Sequence, residues 1–219
     1  MVHFTLFGIP VYIRPSFWVV LAIFGGALSI SSVEDLIYPA LFVIAGFVAI
    51  LSHEMGHALV GRKLGGGQQT IVLELFGGLT SSHGMQLTRG GRALMILAGP
   101  MMTLLLGIIS LGLTWNIVAP VMTSYNLNFW DLAISPFTAA LISPKLYILS
   151  CLIMIGEWWT ILNLLPIYPL DGGQLIAQYI RSPRKVFMTG FITAILIGLL
   201  SFQLFHGYFI PIFMALFAY

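Results

Sequence analysis

His53 and His57 stand four residues apart with Glu54 between them, in the run His53-Glu54-Met55-Gly56-His57. Residues four apart on an α-helix lie about 40° apart around its axis, so both imidazoles can hold one metal ion from a single face. Glu54 is then close enough to reach a water molecule held there. His-Glu-x-x-His is the zinc-hydrolase pattern. Two histidines leave such a site incomplete, because a catalytic zinc takes about three protein ligands and keeps one position open. The best third candidate is Asp171, in Asn163-Leu164-Leu165-Pro166-Ile167-Tyr168-Pro169-Leu170-Asp171-Gly172-Gly173. Pro166 and Pro169 break a helix there, and the glycine pair allows a sharp turn.

The elements that must position these groups are apolar. Of 219 residues, 59% are hydrophobic and only 7% are charged, against about 25% in a soluble domain. With a mean hydropathy of +1.01, the chain reads as an integral membrane protein. A net charge of +2 is too small to point to nucleic acid, and a lone Cys151 excludes an intramolecular disulfide. The N-terminus lacks a signal-peptide pattern. It reads as a retained amphipathic segment, with strands over 4–7 and 11–13 lying at the surface. Candidate spans are 17–30, 36–61, 93–118, 146–166, 186–205 and 207–219, judged against about 20 residues per crossing. The middle four meet that length, while the first and last are short. If the spans alternate, Arg14, Arg62, Lys63, Arg89, Arg92, Arg181, Arg184 and Lys185 share one side, and Lys145 lies opposite with Glu34, Asp35 and Asp131. The positive-inside rule then puts the N-terminus, and the His53–His57 end of span two, in the cytoplasm. Span four carries Asp171 toward that same side, where a broken helix is tolerable if it lines a polar cavity.

Between spans two and three, Ile71-Val72-Leu73-Glu74-Leu75-Phe76 alternates and leads into Gly77-Gly78-Leu79-Thr80. This predicts a β-hairpin. A substrate helix must unwind before its carbonyls can be attacked, and an exposed strand edge supplies replacement partners by β-addition. Ile71, Leu73, Leu75, Gly77 and Gly78 are the candidate clamp, the alternative being an ordinary interfacial hairpin. Asn163, an amide in an apolar helix, is a candidate oxyanion donor; a helix-to-helix hydrogen bond or a cap at the Pro166 break would explain it equally. Glu157 is a weaker ligand candidate than Asp171, His83 reads as a solvated loop histidine, and Gly99-Pro100 reads as a packing feature of span three.

Taken together these residues resemble the site-2 protease family of intramembrane zinc metalloproteases. The likeness rests on His53 to His57, on Asn163, Pro166 and Leu170-Asp171-Gly172, on Ala98-Gly99-Pro100, and on Gly8-Ile9-Pro10-Val11, and covers roughly residues 6–175. It implies a catalytic core formed by spans two, three and four, one Zn2+ held by His53, His57 and Asp171, and Glu54 as general base. Many members carry a PDZ or CBS domain; this chain resembles a minimal form.

The expected fold is therefore an all-α polytopic membrane protein of about six transmembrane helices with a small membrane-associated β-hairpin. It is expected to form one domain over 1–219, with a catalytic core at about 36–175, preceded by 1–35 and followed by C-terminal helices over 186–219. The expected function is hydrolysis of a peptide bond in or near the transmembrane segment of a single-pass membrane protein, near the cytoplasmic side, in a prokaryotic plasma membrane. A metal-ion transporter is the alternative from another class, but it needs a polar trail across the bilayer, whereas the ligands here gather at one depth. A substrate-holding pseudoprotease is disfavoured because Glu54 and all three ligand candidates are present. Oligomeric state is not encoded in any pattern we find.

Overall fold

A computed structural model of the chain describes residues 1–75, 77–84, 86–125, 128–180 and 182–205. Two compact units divide it, Met1–Thr160 and the residues from Ile161 onward.

The first unit is organised around helix α2, Ile37–Gly65. Its apolar sequence has a proline only near its start, at Pro39, where the missing N–H breaks no helical bond. Arg62 and Lys63 occupy the last turn, where cations oppose the negative end of the helix dipole. Gly66, at φ 65°, then turns the chain out of the helix. Ahead of α2 lies α1, Pro15–Phe24, ended by Gly25 and by Gly26 at φ 86°. Ten residues rise only about 15 Å, half of a hydrocarbon core of about 30 Å. The chain continues through short 3₁₀ turns at Ala27–Ser29 and Glu34–Leu36. Helix α1 runs antiparallel to α2, with Leu21 packed over Gly46 and Gly25 against Phe42.

A four-stranded sheet seats the C-terminal half of α2. Strands β1, Val2–Leu6, and β2, Ile9–Ile13, form a hairpin; β3, Gln68–Glu74, and β4, Gly77–His83, form a second. The order is β1-β2-β3-β4, and β2 runs parallel to β3. A parallel pair needs a long crossover, which α1 and α2 provide. The first hairpin turns at Phe7 and Gly8 with φ of 50° and 75°, the left-handed conformation of tight hairpins, and the Arg62 guanidinium donates to the Phe7 carbonyl at 2.8 Å. At the junction with α1, Arg14 pairs with Glu74 at 2.7 Å.

One face of this sheet is apolar across two strands. Ile9, Val11 and Ile13 of β2 and Ile71 and Leu73 of β3 are fully buried, clustered with Phe17, Leu51, Met55 and Ala58. The N-terminal strands form as expected, but β2 is interior rather than superficial, because β3 covers its outer edge and the helices cover its face.

The first unit continues with α3, Arg89–Tyr125, the short helices α4, Phe129–Ile134, and α5, Pro136–Ala140, and most of α6, Pro144–Leu164. Small residues bring α3 close to its neighbours. A Cβ on Gly56 of α2 would collide with the Ala98 carbonyl of α3, and one on Gly156 of α6 would stand 3.0 Å from the Thr103 carbonyl. Thr103 and Thr160 share a hydrogen bond of 2.8 Å between α3 and α6. Such small-residue crossings and hydroxyl bridges hold helices together where apolar burial gives no preference over lipid.

The second unit contains the end of α6, helix α7, Asp171–Ala177, and helix α8, Pro183–Phe205. Ile167, Leu170 and Ala194 form its core with Leu162, Leu165 and Ile197.

Among the described residues four helical segments, Glu34–Gly65, Arg89–Ala119, Pro144–Leu164 and Pro183–Ser201, are long and apolar enough to cross a membrane. They correspond to the middle four spans expected from sequence. The first expected span is only partly helical, as α1, and the sixth, 207–219, lies outside the described residues.

Candidate metal centre

His53, Glu54 and His57 project from α2 at its most enclosed level, with 2%, 5% and 7% of their surface exposed. The Nε2 atoms of His53 and His57 face each other at 3.0 Å. Two nitrogens bound at about 2.0–2.1 Å to a tetrahedral ion stand about 3.3 Å apart, so the pair is already close to the spacing that a shared cation requires. The His57 Nδ1 atom lies 2.9 Å from the Met95 carbonyl of α3. A carbonyl can only accept, so Nδ1 carries a proton and Nε2 is the ring nitrogen turned toward His53. This is the outer hydrogen bond that fixes tautomer and ring direction in metal-binding histidines. Gly99 makes the arrangement possible: a side chain there would occupy the space of the His57 ring. The Ala98-Gly99-Pro100 stretch thus serves close approach, as a packing role predicts, and the ring it admits is a candidate ligand. On the other side, Trp159 of α6 packs edge-on against His53 with centroids 6.5 Å apart. Its ring also covers Gly77, where a Cβ would lie 2.7 Å from it.

Glu54 is held by β4. Thr80 Oγ1 donates to Glu54 Oε2 at 2.7 Å. Gly78 lies against the same carboxylate, where a Cβ would approach Oε1 to 2.6 Å. Residues two apart on a strand point to the same face, and by register Thr80 pairs with Ile71 and Gly78 with Leu73. The apolar face of β2 and β3 therefore ends on β4 in a glycine and a hydroxyl, where Glu54 sits. Thr80 was not among the residues the sequence marked out.

The clamp residues separate. Ile71 and Leu73 are fully buried on a strand paired on both sides, so their backbone offers no free edge, which corrects their expected role. Leu75 is exposed beyond the end of β3. The sheet's edges are β1 and β4, and the one beside Glu54 is β4, with Gly77 and Gly78 at its start. His83 is exposed at the far end of β4, and Glu157 is exposed on α6.

In the second unit, Asn163 is the penultimate residue of α6 and Asp171 the first of α7; both are buried. Helix α6 ends before Pro166, as its ring demands. Gly172 and Gly173 are helical rather than left-handed. They are needed for space, since side chains there would strike the backbone of 164–168. Asp171 is therefore fixed by direct backbone packing rather than by a sharp glycine turn.

The sequence profile of Peptidase family M50 matches residues 41–205, a stretch that contains every one of these groups. The chain belongs to peptidase family M50. The M50 chain is 29% identical over 174 residues to zinc metalloprotease MJ0392 of Methanocaldococcus jannaschii, covering 79% of this chain and 43% of that one. To the relative sll0528 of Synechocystis sp. it is 28% identical over 188 residues, covering 80% and 43%. It spans less than half the length of these relatives. Its fold matches the site-2 protease from Methanocaldococcus jannaschii with a TM-score of 0.58 and 21% identity, over 99% of this chain and 91% of that one. The resemblance drawn from sequence to the site-2 protease family is borne out, and an M50 chain with four apolar helices of spanning length is an integral membrane protein.

Proposed function

We propose that this M50 chain is an intramembrane zinc endopeptidase that cuts a single-pass membrane protein in or near its transmembrane segment, as in regulated intramembrane proteolysis. The observation that carries the reading is the buried His53–His57 pair, with Nε2 atoms 3.0 Å apart and His57 oriented by Met95, beside a carboxylate held by its own hydrogen bond. Zinc is named by the M50 relative MJ0392. Asp171, buried in the second unit, is the third ligand in this reading beside His53 and His57, and two imidazoles with a carboxylate suit zinc. One Zn2+ per chain would supply Lewis-acid polarisation of the scissile carbonyl.

The protein's own groups do the rest. Glu54 accepts a proton from the attacking water and later delivers it to the leaving amine. Asn163 donates its amide N–H to the oxyanion. The edge of β4, beginning at Gly77 and Gly78, receives the unwound substrate as an added strand; among the proposed contacts Ile71 and Leu73 act only by supporting β4 from behind. Exclusion of bulk water around these buried groups strengthens every one of these interactions.

The N-terminus is cytoplasmic in this reading, and the cut falls near that side. Arg14, Arg62 and Lys63 gather at the sheet end of α2, whereas Glu34 and Asp35 stand at its start, the asymmetry that the positive-inside rule associates with a cytoplasmic sheet. Residues 17–30 would make the first of about six crossings in one membrane domain of a prokaryotic plasma membrane, the sixth expected segment lying outside the described residues. The test is metal content and chelator response in detergent. Native protein is expected to hold one zinc, His57→Ala and Asp171→Ala far less, and 1,10-phenanthroline to stop cleavage reversibly. Full zinc retention by both variants would contradict the ligand set.

A further inference from the structure

We propose that Thr80 is a positioning residue for Glu54, and that β4 thereby sets the orientation of the catalytic carboxylate. The inference rests on the reading of Glu54 as general base. A carboxylate acting as a base needs one oxygen directed at the water and the whole group kept from rotating. Here the Thr80 hydroxyl donates to Oε2 at 2.7 Å, which leaves Oε1 for the proton transfer. The same hydroxyl lies 3.1 Å from the Glu54 carbonyl, so its one proton faces two acceptors of Glu54, of which the carboxylate oxygen is the nearer. Gly78, two residues earlier on the same strand face, leaves the carboxylate the room that any side chain would take. Anchor and clearance are thus contributed by one strand, in the spacing Gly-x-Thr.

Glu54 has little alternative support. It is 5% exposed, so bulk water does not hold its carboxylate in place, and the strand partners of Thr80 and Gly78, Ile71 and Leu73, are apolar. A hydrogen bond to an ionised acceptor in such surroundings is among the stronger kinds. Because β4 is an edge strand, and of the two edges, β1 and β4, the one that holds Glu54, the element that orients the base can also receive an incoming strand. Substrate docking and base orientation are therefore mechanically joined through a single residue.

The experiment compares native protein, Thr80→Val and Thr80→Ser in detergent, using a fluorescently labelled single-pass substrate. It reads kcat and KM, zinc content, and hydrogen exchange of the amides in 77–83. Valine keeps the shape and β-propensity of threonine but cannot donate. We expect kcat of Thr80→Val to fall on the order of 10- to 100-fold, the scale of a misplaced catalytic group. KM, zinc content and β4 protection should stay native, and Thr80→Ser should recover most of the rate. In a Glu54→Gln background, Thr80→Val should lower the residual rate no further. Unchanged kcat in Thr80→Val, or a serine variant as slow as valine, overturns the proposal. Loss of β4 protection in Thr80→Val also overturns it, showing that the hydroxyl holds the strand rather than the base. A native protein that binds zinc but cuts nothing removes the general-base reading itself, and the positioning role falls with it; that result is distinct from an active native protein indifferent to Thr80.

Discussion

His57 is asked to do two things at once, and its two nitrogens divide them. Nδ1 is committed to the Met95 carbonyl at 2.9 Å, which leaves Nε2 as the only atom able to serve a metal. The ring lies where a side chain on Gly99 would be. Gly99→Ala should therefore push the ring aside and lower bound zinc well below one per chain while leaving the helical circular dichroism intact; a fully zinc-loaded variant would contradict this. Gly78→Ala should act differently, displacing Glu54 but neither histidine, so cleavage should fall on the order of 100-fold with zinc retained. The first three groups of the site were legible in the sequence because His53, Glu54 and His57 lie within little more than one helical turn, where spacing alone fixes their relation. Thr80 was not, because it meets Glu54 across a separation of 26 residues. That meeting depends on strand register and on how the sheet docks on α2, and neither is local.

At the scale of elements, the crossing of α2 and α3 and the sheet beneath α2 carry the site. Gly56 permits the backbone of α2 to approach the Ala98 carbonyl. Gly56→Ala should cost about 1–3 kcal/mol as overpacking does, read as a lowered unfolding midpoint in detergent. Leu73→Ala, which empties a fully buried position in the sheet core, should cost about 2–5 kcal/mol and loosen β4 in hydrogen exchange, with activity lost alongside. The long helices were legible because their apolar runs approach the length of a bilayer crossing, and the β3–β4 hairpin because it alternates around a glycine pair. The parallel pairing of β2 with β3 was not. Nothing within either strand specifies a partner some 60 residues away in register, such as Val11 with Ile71. That pairing joined the expected N-terminal strands and the β3–β4 hairpin into one sheet, and covered the edge of β3. The short α1 follows from Gly25 and Gly26, which a hydropathy average over the span conceals.

Four helices of spanning length among the described residues and the M50 family place the protein in a membrane. Its orientation is open to a direct test. Cys151 is the lone cysteine and is buried, so single cysteines can be introduced into a Cys151→Ala background at Thr5 and Ser32, both exposed. In intact cells a membrane-impermeant maleimide should label Ser32→Cys, and should reach Thr5→Cys only after permeabilisation; the reverse pattern would invert the topology. The central claim is that the buried His-Glu-x-x-His helix hydrolyses peptide bonds, and its most direct test is cleavage of a labelled single-pass substrate by purified native protein beside Glu54→Gln, with zinc measured on both. Both should hold one zinc, and only the native protein should cut. Equal cleavage by the two would contradict it, because Glu54 would then not be the base around which the site is built.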